Sequence, residues 1–357
     1  MREISDLNRG IALALASAAL FGVGAPLAKL LLAETPPQML AGLFYLGAGL
    51  GLGAIHLARA SIGIASPEAP LRSTDIGWLA AIVLFGGIVG PTCLMLGLSH
   101  SDAGAASLLL NLEGIATMAI AWLVYREHVN AWLLLGALSI VSGAVVLSWT
   151  HQTMRLDFGA LLIALACLAW GIDNKLTRKL SAADPLVIAA IKGLVAGGVN
   201  VGLALASGNT MPASGTAAAA ATVGFFTIGV SLVFFVLALR HLGAARTAAY
   251  FSLAPFIGVG VAIALLHEAI TPQLAIAGVL MGFGLWLHLA EQHDHEHTHD
   301  RLEHDHLHRH DEHHRHTHDG PVTEPHSHWH RHEPIRHKHP HYPDIHHRHG
   351  HPHREAG

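Results

Sequence analysis

The sequence predicts an all-α polytopic membrane protein of ten transmembrane helices, arranged as two inverted five-helix repeats and followed by a disordered C-terminal tail. Three observations predict it. Hydrophobic residues make up 52% of the 357 positions and fall in long blocks rather than being interspersed with polar ones, which is not the make-up of an ordinary soluble protein. The apolar region resembles itself when displaced by 141 positions. The composition then changes abruptly at Glu291, beyond which lie 24 of the 31 histidines.

Each block is long enough to serve as a helix across a bilayer, which takes about 20 mostly apolar residues. In order they are 10–32, 38–58, 76–98, 103–124, 131–149, 158–177, 184–206, 215–239, 244–266 and 272–289. The first lacks a cleavage site leading into a soluble domain, so it reads as a span and not as a signal peptide. Cys93 and Cys167 both lie within spans, which suggests neither a disulfide nor a cysteine metal site.

Lys and Arg at the span ends give the expected orientation. With the N-terminus inside, one side collects Arg2, Arg9, Arg59, Arg72, Arg126, Lys175, Arg178, Lys179, Arg240 and Arg246, while the other holds little beyond Arg155 and Lys29. Ten spans return the C-terminus to the cytoplasm, and the expected location is the inner (plasma) membrane.

The repeat is carried by particular residues. The displacement of 141 lays Leu96-x-Leu98-x-His100 on Leu237-x-Leu239-x-His241, Leu112 on Leu253 and Glu127 on Glu268. In the first span of each half Phe21-Gly22 matches Trp170-Gly171 and Lys29 matches Arg178, at a slightly larger offset that the polar loop Ser61–Asp75 absorbs. Five spans per copy is an odd number, so the second copy must cross the membrane upside down relative to the first. The units are residues 1–149, 150–290 and the tail 291–357.

Each half closes with a short crossing that ends in Glu, Tyr125-Arg126-Glu127 and Leu266-His267-Glu268, followed by a final span of small residues. In this the chain resembles the EamA-type branch of the drug/metabolite transporter superfamily over about residues 10–289. The resemblance implies a ten-helix transporter with both termini inside and a central cavity, and leaves the substrate open among amino acids, sugars, drugs, purines and other metabolites. Glu127 and Glu268 read as interfacial structural residues.

Polar groups inside the spans are the candidates for a pathway. Glu113 sits near the middle of the fourth span, where a charge costs about 2.5 kcal/mol or more without a partner or a water-filled cavity. Asn111 shares that span, on a face with Ser107 and Gly114, while Thr117 shares the face of Glu113. The sixth span carries Asp173, Asn174 and Lys175; Asp173 either neutralises a neighbouring base or serves the pathway. On the seventh, Lys192 and Asn200 share a face, and Glu113 or Asp173 is the natural partner for Lys192. Tyr250 and Ser252 stand at the level of Leu109 and Asn111 in the repeat and face the same cavity from the other half. With two acids in the membrane, the proton is the expected coupling ion.

Small residues mark packing faces: Ala189, Gly193 and Gly197 on the seventh span, Ala254, Gly258 and Ala262 on the ninth. Gly86-Gly87, Gly90-Pro91 and Pro255 read as kinks or hinges, and His288 as interfacial.

The tail cannot bury a core and reads as disordered. Its histidines alternate with other residues: His293, His295, His297 and His299; His304, His306, His308 and His310; His313, His314, His316 and His318; His326, His328, His330 and His332; with two further clusters beyond. Neutral imidazole is a good ligand for Ni, Co, Zn and Cu, so a divalent transition metal bound by the tail is expected, with no cofactor otherwise required. Joined to the polar residues of the bundle and to His100 or His241 near its loops, this leads to a proton-coupled exporter of nickel or cobalt. Two alternatives stand beside it: an exporter of a small organic metabolite whose tail buffers metal or regulates, and a membrane-anchored metal storage or sensing protein. The expected partners are the lipid bilayer, a small cation or small-molecule substrate, and a second copy of the chain in a homodimer. Nucleic acid is not among them, given a net charge of −4 and no basic patch beyond short loops. Nor is an enzyme expected, since no nucleotide-binding glycine loop, nucleophile elbow or His-Glu-x-x-His pair occurs.

Overall fold

A computed structural model describes residues 2–63, 71, 73–125, 131–149, 157–177, 180 and 184–290, together with four short stretches of the tail. Ten helices among them are long and apolar enough to cross a membrane: α1 Leu7–Leu31, α2 Pro37–Ser61, α3 Ser73–His100, α4 Ala103–Val124, α5 Ala131–Ser148, α6 Phe158–Thr177, α7 Pro185–Ala206, α8 Ser214–Leu242, α9 Arg246–Leu266 and α10 Pro272–Leu289. Each span read from the sequence therefore corresponds to one helix. Large apolar side chains such as Trp122, Leu123, Leu138, Val279 and Trp286 are exposed on the outside, where hydrocarbon and not water is the fitting surrounding.

Small residues decide which helices touch. The helices α2 and α7 pack along facing glycines, close enough that a Cβ added at Gly193 would stand 2.7 Å from Gly49 Cα and one at Gly42 would stand 2.7 Å from Val201 Cγ2. In α9, Gly258 lies against Ser107 of α4 and the Gly22 carbonyl of α1. Both small-residue stripes thus serve close backbone approach, as expected in lipid. The other principal contacts join α5 to α10, α2 to α8, α1 to α8, α3 to α6, α4 to α6 and α4 to α9.

Two kinds of interruption recur in the two halves. A π-helical segment occupies Val83–Val89 in α3 and Phe225–Val230 in α8. The fourth span breaks between Leu109 and Leu112, and the ninth between Phe251 and Ala254. These positions correspond, to within a residue, under the same displacement of 141 that aligns the sequence. One feature is not shared: α1 is interrupted at Val23, whereas Phe158–Thr177 is continuous.

Side chains close the helix ends that hydrocarbon cannot solvate. Asp157, Asp184 and Thr271 accept from the backbone N–H groups of Ala160, Leu186 and Leu274 at 3.0, 2.8 and 3.1 Å. The Glu268 carboxylate accepts from the N–H groups of Ala103 and Gly104 at 2.7 and 2.8 Å, capping α4 from the other half of the chain. It is placed there by His267, which ends α9 in the left-handed conformation at φ +56°. Lys29 donates to the Leu98 and Ser101 carbonyls at 2.8 and 2.7 Å, closing the end of α3. Glu268 thus holds the structural role read for it; Glu127 lies outside the described residues.

The tail from Glu291 belongs to a unit separate from the helices. Its described stretches are β1 Glu296–Thr298, β2 Leu302–His308, β3 His326–His332 and β4 Arg336–Lys338. β1 pairs antiparallel with β4 and β2 with β3, in a register that sets His304 opposite His330, His306 opposite His328 and His308 opposite His326. A two-stranded ladder is marginal in water without a core, and this one matches a segment that has too few apolar residues to form any.

Candidate functional site

The site is organised by the π-helical turn of α3. Widening a helix by one residue per turn displaces carbonyls from the regular ladder, and in a membrane each displaced carbonyl needs a donor. The Gly86 carbonyl accepts from the Tyr45 hydroxyl of α2 at 2.7 Å and from the Trp170 indole N–H of α6 at 3.1 Å. The Gly87 carbonyl accepts from the Asn200 amide of α7 at 3.0 Å, and Thr92 donates to the Asn200 carbonyl oxygen at 3.2 Å. Glycine is required at 86 because a Cβ there would run into the Asp173 carboxylate; at Gly90 one would stand 2.7 Å from the Trp170 indole nitrogen.

Against this turn lie two polar pairs. Lys192 Nζ of α7 donates to Asp173 Oδ2 of α6 at 2.8 Å, and Thr177 donates to Oδ1 at 3.3 Å. The Asp173 side chain is 7% exposed and that of Lys192 22%, so the pair is largely withdrawn from solvent and each charge depends on the other. One residue along, the Asn174 amide donates to Glu113 Oε1 of α4 at 2.9 Å and to Thr117 Oγ1 at 3.3 Å. Gly171 makes this junction by letting α6 approach to within 3.0–3.1 Å of the Ala116–Thr117 backbone, measured from an added Cβ. Asn174 is exposed. Tyr45 of α2, Glu113 of α4, Asp173 of α6 and Lys192 of α7 thus bring groups from four helices to this region.

Of the residues singled out in the sequence, Glu113, Thr117, Asp173, Asn174 and Lys192 come together. The partner of Lys192 is Asp173, and Glu113 is held by Asn174. Asn111, Asn200 and Ser252 serve the backbone, and Tyr250 packs among apolar side chains. Asn200 is fully buried on the α3 turn. Asn111 donates to the Leu108 carbonyl at 2.8 Å within the break of α4 and lies 3.9 Å from Met281 Sδ. Ser252 donates to the Ala249 carbonyl at 2.7 Å in the break of α9, and Tyr250 packs with Ile11 and Leu13 against Ala14, Ala238 and Leu242. Tyr45 went unread, and Trp170 and Gly86 were read without this role. The signal for all three was the Gly86-Gly87 pair, a break whose freed carbonyls demand donors.

For a metal path the bundle offers little. No group of three or more His, Cys, Asp or Glu suited to a metal occurs among the described residues. His100 stacks edge-on to Phe158 at 5.7 Å, His241 is exposed at the end of α8, and His288 Nε2 lies 2.9 Å from the Leu133 carbonyl between α5 and α10. In the tail, the backbones of His297, His304, His306, His308, His326, His328, His330 and His332 are described, while His293, His295, His299, His310, His313, His314, His316 and His318 lie outside the described residues.

Comparison with known proteins gives the family and the fold. The profile of the EamA-like transporter family matches twice, over residues 8–149 and 157–290. An "Uncharacterized transporter" of Methanothermobacter thermautotrophicus is 28% identical over 281 residues, covering 75% of this chain and 82% of its own. A "Probable terminal-alkyne amino-acid exporter" of Streptantibioticus cattleyicolor is 26% identical over 245 residues, covering 66% of this chain and 82% of its own. A crystal structure at 18% identity superimposes with a TM-score of 0.57 over 78% of this chain and 95% of that one, which speaks for the fold.

Proposed function

This chain belongs to the EamA-like transporter family, and from that premise we propose that it exports a small organic metabolite in exchange for protons across the inner membrane, with both termini in the cytoplasm. The observation that carries this reading is the cluster of Asp173, Lys192, Glu113 and Asn174 inside the helices, where ionisable side chains are rare and mark substrate or ion pathways. A substrate site between two inverted repeats is the plan of secondary transporters, and the cluster joins Glu113 of the first half to Asp173 and Lys192 of the second. Support for an organic cargo comes from the relative named an amino-acid exporter. The nickel or cobalt cargo expected from the tail is set aside, because the groups at the cluster are one ammonium, two carboxylates and an amide, a poor set for metals that favour imidazole.

Glu113 is the proton carrier in this scheme: it is held by the exposed Asn174, whereas Asp173 is occupied by Lys192. The tail serves as a metal buffer. The register of β2 and β3 gathers histidines on one face of the ladder by alternation, which favours binding of Ni, Co, Zn or Cu there.

Purified protein in vesicles with an imposed pH gradient tests the reading. Movement of at least one class among labelled amino acids, amines and sugars, following the gradient and losing that dependence in Glu113→Gln, is the expected result. Movement of nickel or cobalt with every organic solute left behind would overturn it.

A further inference from the structure

We propose that the start of α4 exchanges one cap for another as the protein closes and opens at the face opposite the N-terminus. The Glu268 carboxylate holds it while that face is closed, and Asp102 takes it over when the two halves part there. Such a gate serves any cargo.

Span parity fixes the place. Odd-numbered helices end, and even-numbered helices begin, at the face opposite the N-terminus. At that face four side-chain contacts among the described residues tie the first half to the second. Glu268, just beyond α9, accepts from the Ala103 and Gly104 N–H groups of α4 at 2.7 and 2.8 Å. The Ser101 hydroxyl, between α3 and α4, donates to Asp157 before α6 at 3.1 Å. Thr216 of α8 donates to Glu34 beyond α1 at 3.1 Å, and Gln273 of α10 to the Trp149 carbonyl beyond α5 at 3.2 Å. The structure is therefore the state closed at this face.

These ties differ in strength. The Thr216 and Gln273 contacts are exposed, where water replaces a lost bond at little net cost. The Glu268 and Asp157 contacts are partly buried with a carboxylate as acceptor, the stronger kind. Both fall on the corner of residues 101–104, which Lys29 steadies from within the first half through the Leu98 and Ser101 carbonyls. The fit is close, since a Cβ added at Gly159 would run into the Ser101 hydroxyl and one at Gly104 would stand 3.0 Å from Glu268 Oε2.

What turns a cap into a latch is that it comes from the wrong half while a local one stands idle. Asp184 caps α7 from the residue just before it, bonding the Leu186 N–H at 2.8 Å. Asp102 holds the same position before α4, in the extended conformation of an N-cap at φ −68° and ψ 147°, yet its side chain makes no cap bond. Asp is among the residues best suited to that position. When α4 leaves Glu268, Asp102 can accept from the same turn, so the helix start stays satisfied in both states, as a membrane requires. Two alternative acceptors for one set of donors make the corner bistable.

The native Cys167 reports the opening. It lies buried on α6 against the Leu109 and Leu110 carbonyls of α4, at 3.6 and 4.0 Å, so parting of α4 from α6 uncovers its thiol. Full-length protein carrying Cys93→Ser, in vesicles of known orientation, is treated from one face at a time with a charged, membrane-impermeant methanethiosulfonate. Glu268→Ala should raise the labelling rate from the face opposite the N-terminus by about tenfold or more, the shift that goes with losing one charge-assisted bond. Adding Asp102→Ala to that variant should reverse the rise by about threefold or more, because the open state then loses its own cap. Thr271→Ala, which removes a cap lying wholly within the second half, should leave the rate unchanged. An equal rise from both faces, or the same rise in Thr271→Ala, would show general loosening and overturn the gate. A rise that Asp102→Ala leaves intact would overturn the exchange of caps. Should Glu268→Ala fail to fold, Glu268→Gln takes its place, and Asp102→Ala alone must slow labelling of the otherwise native chain; faster labelling overturns the proposal. No cargo enters the measurement, so its failure leaves the exporter reading standing.

Discussion

Around the π-helical turn of α3 the protein places charge; around the corresponding turn of α8 it places hydroxyls and rings. At the second site Ser17 and Ser231 exchange hydrogen bonds, each hydroxyl donating to the other's carbonyl at 2.7 and 2.9 Å, and Thr227 donates to the Val223 carbonyl at 2.8 Å. Phe251 packs on Phe21 and Phe235 at 5.3 and 5.0 Å between ring centres, where the first site has Trp170 in the position of Phe21. The pattern of side chain and gap is also reversed. At α3 the turn supplies glycine and the neighbouring helix supplies Asp173; at α8 the turn supplies Thr227 and the neighbouring helix supplies Gly24. The same backbone irregularity is therefore closed in two ways, and the closure with charge is the one that needs a reason beyond packing.

Substitutions can break this comparison. The largest effect is expected from Lys192→Met, which strands the Asp173 carboxylate and should lower stability by about 3–5 kcal/mol, read as a drop in the detergent melting temperature. Next is Gly86→Ala, which pushes a Cβ into the Asp173 carboxyl group and should cost about 1–3 kcal/mol, whereas Gly24→Ala meets Thr227 at ordinary contact distance and should melt close to wild type. Equal melting of these two variants would mean that the halves are packed alike. The smallest is Ser17→Ala, about 1 kcal/mol for the lost hydroxyl bonds, with transport retained because no charge is touched. Loss of transport in Ser17→Ala at full stability would place part of the pathway in the second half.

Much of this was legible in the sequence because lipid imposes simple rules. Hydrocarbon thickness sets span length, so the blocks 103–124 and 158–177 return as helices with closely matching ends. The displacement of 141 appeared in ordinary side chains such as Leu112 and Leu253, and it returned as paired helix breaks and paired π-helical turns. The charges at 113, 173 and 192 were legible as a group because an intramembrane charge must find company. The amides and hydroxyls were not. Asn111, Asn200 and Ser252 look like pathway residues, yet each is engaged by the backbone at an interrupted helix, and a polar side chain in a span can serve either end equally well. Tyr45 was illegible for the related reason that its partner is a carbonyl freed by a π-helical turn, which Gly86-Gly87 signals only as a generic kink. The histidine tail is legible only for its own ligands: its composition does not reach the cargo of a bundle whose cluster is built of carboxylates, an amide and an ammonium.

The central claim is that the charge at the α3 turn serves transport and not folding. The double replacement Asp173→Asn with Lys192→Met addresses it directly, since removing both charges strands neither. The expected protein melts near the wild-type temperature and no longer moves any solute under a pH gradient. A double variant that transports at the wild-type rate would make the pair a structural strut and contradict the account.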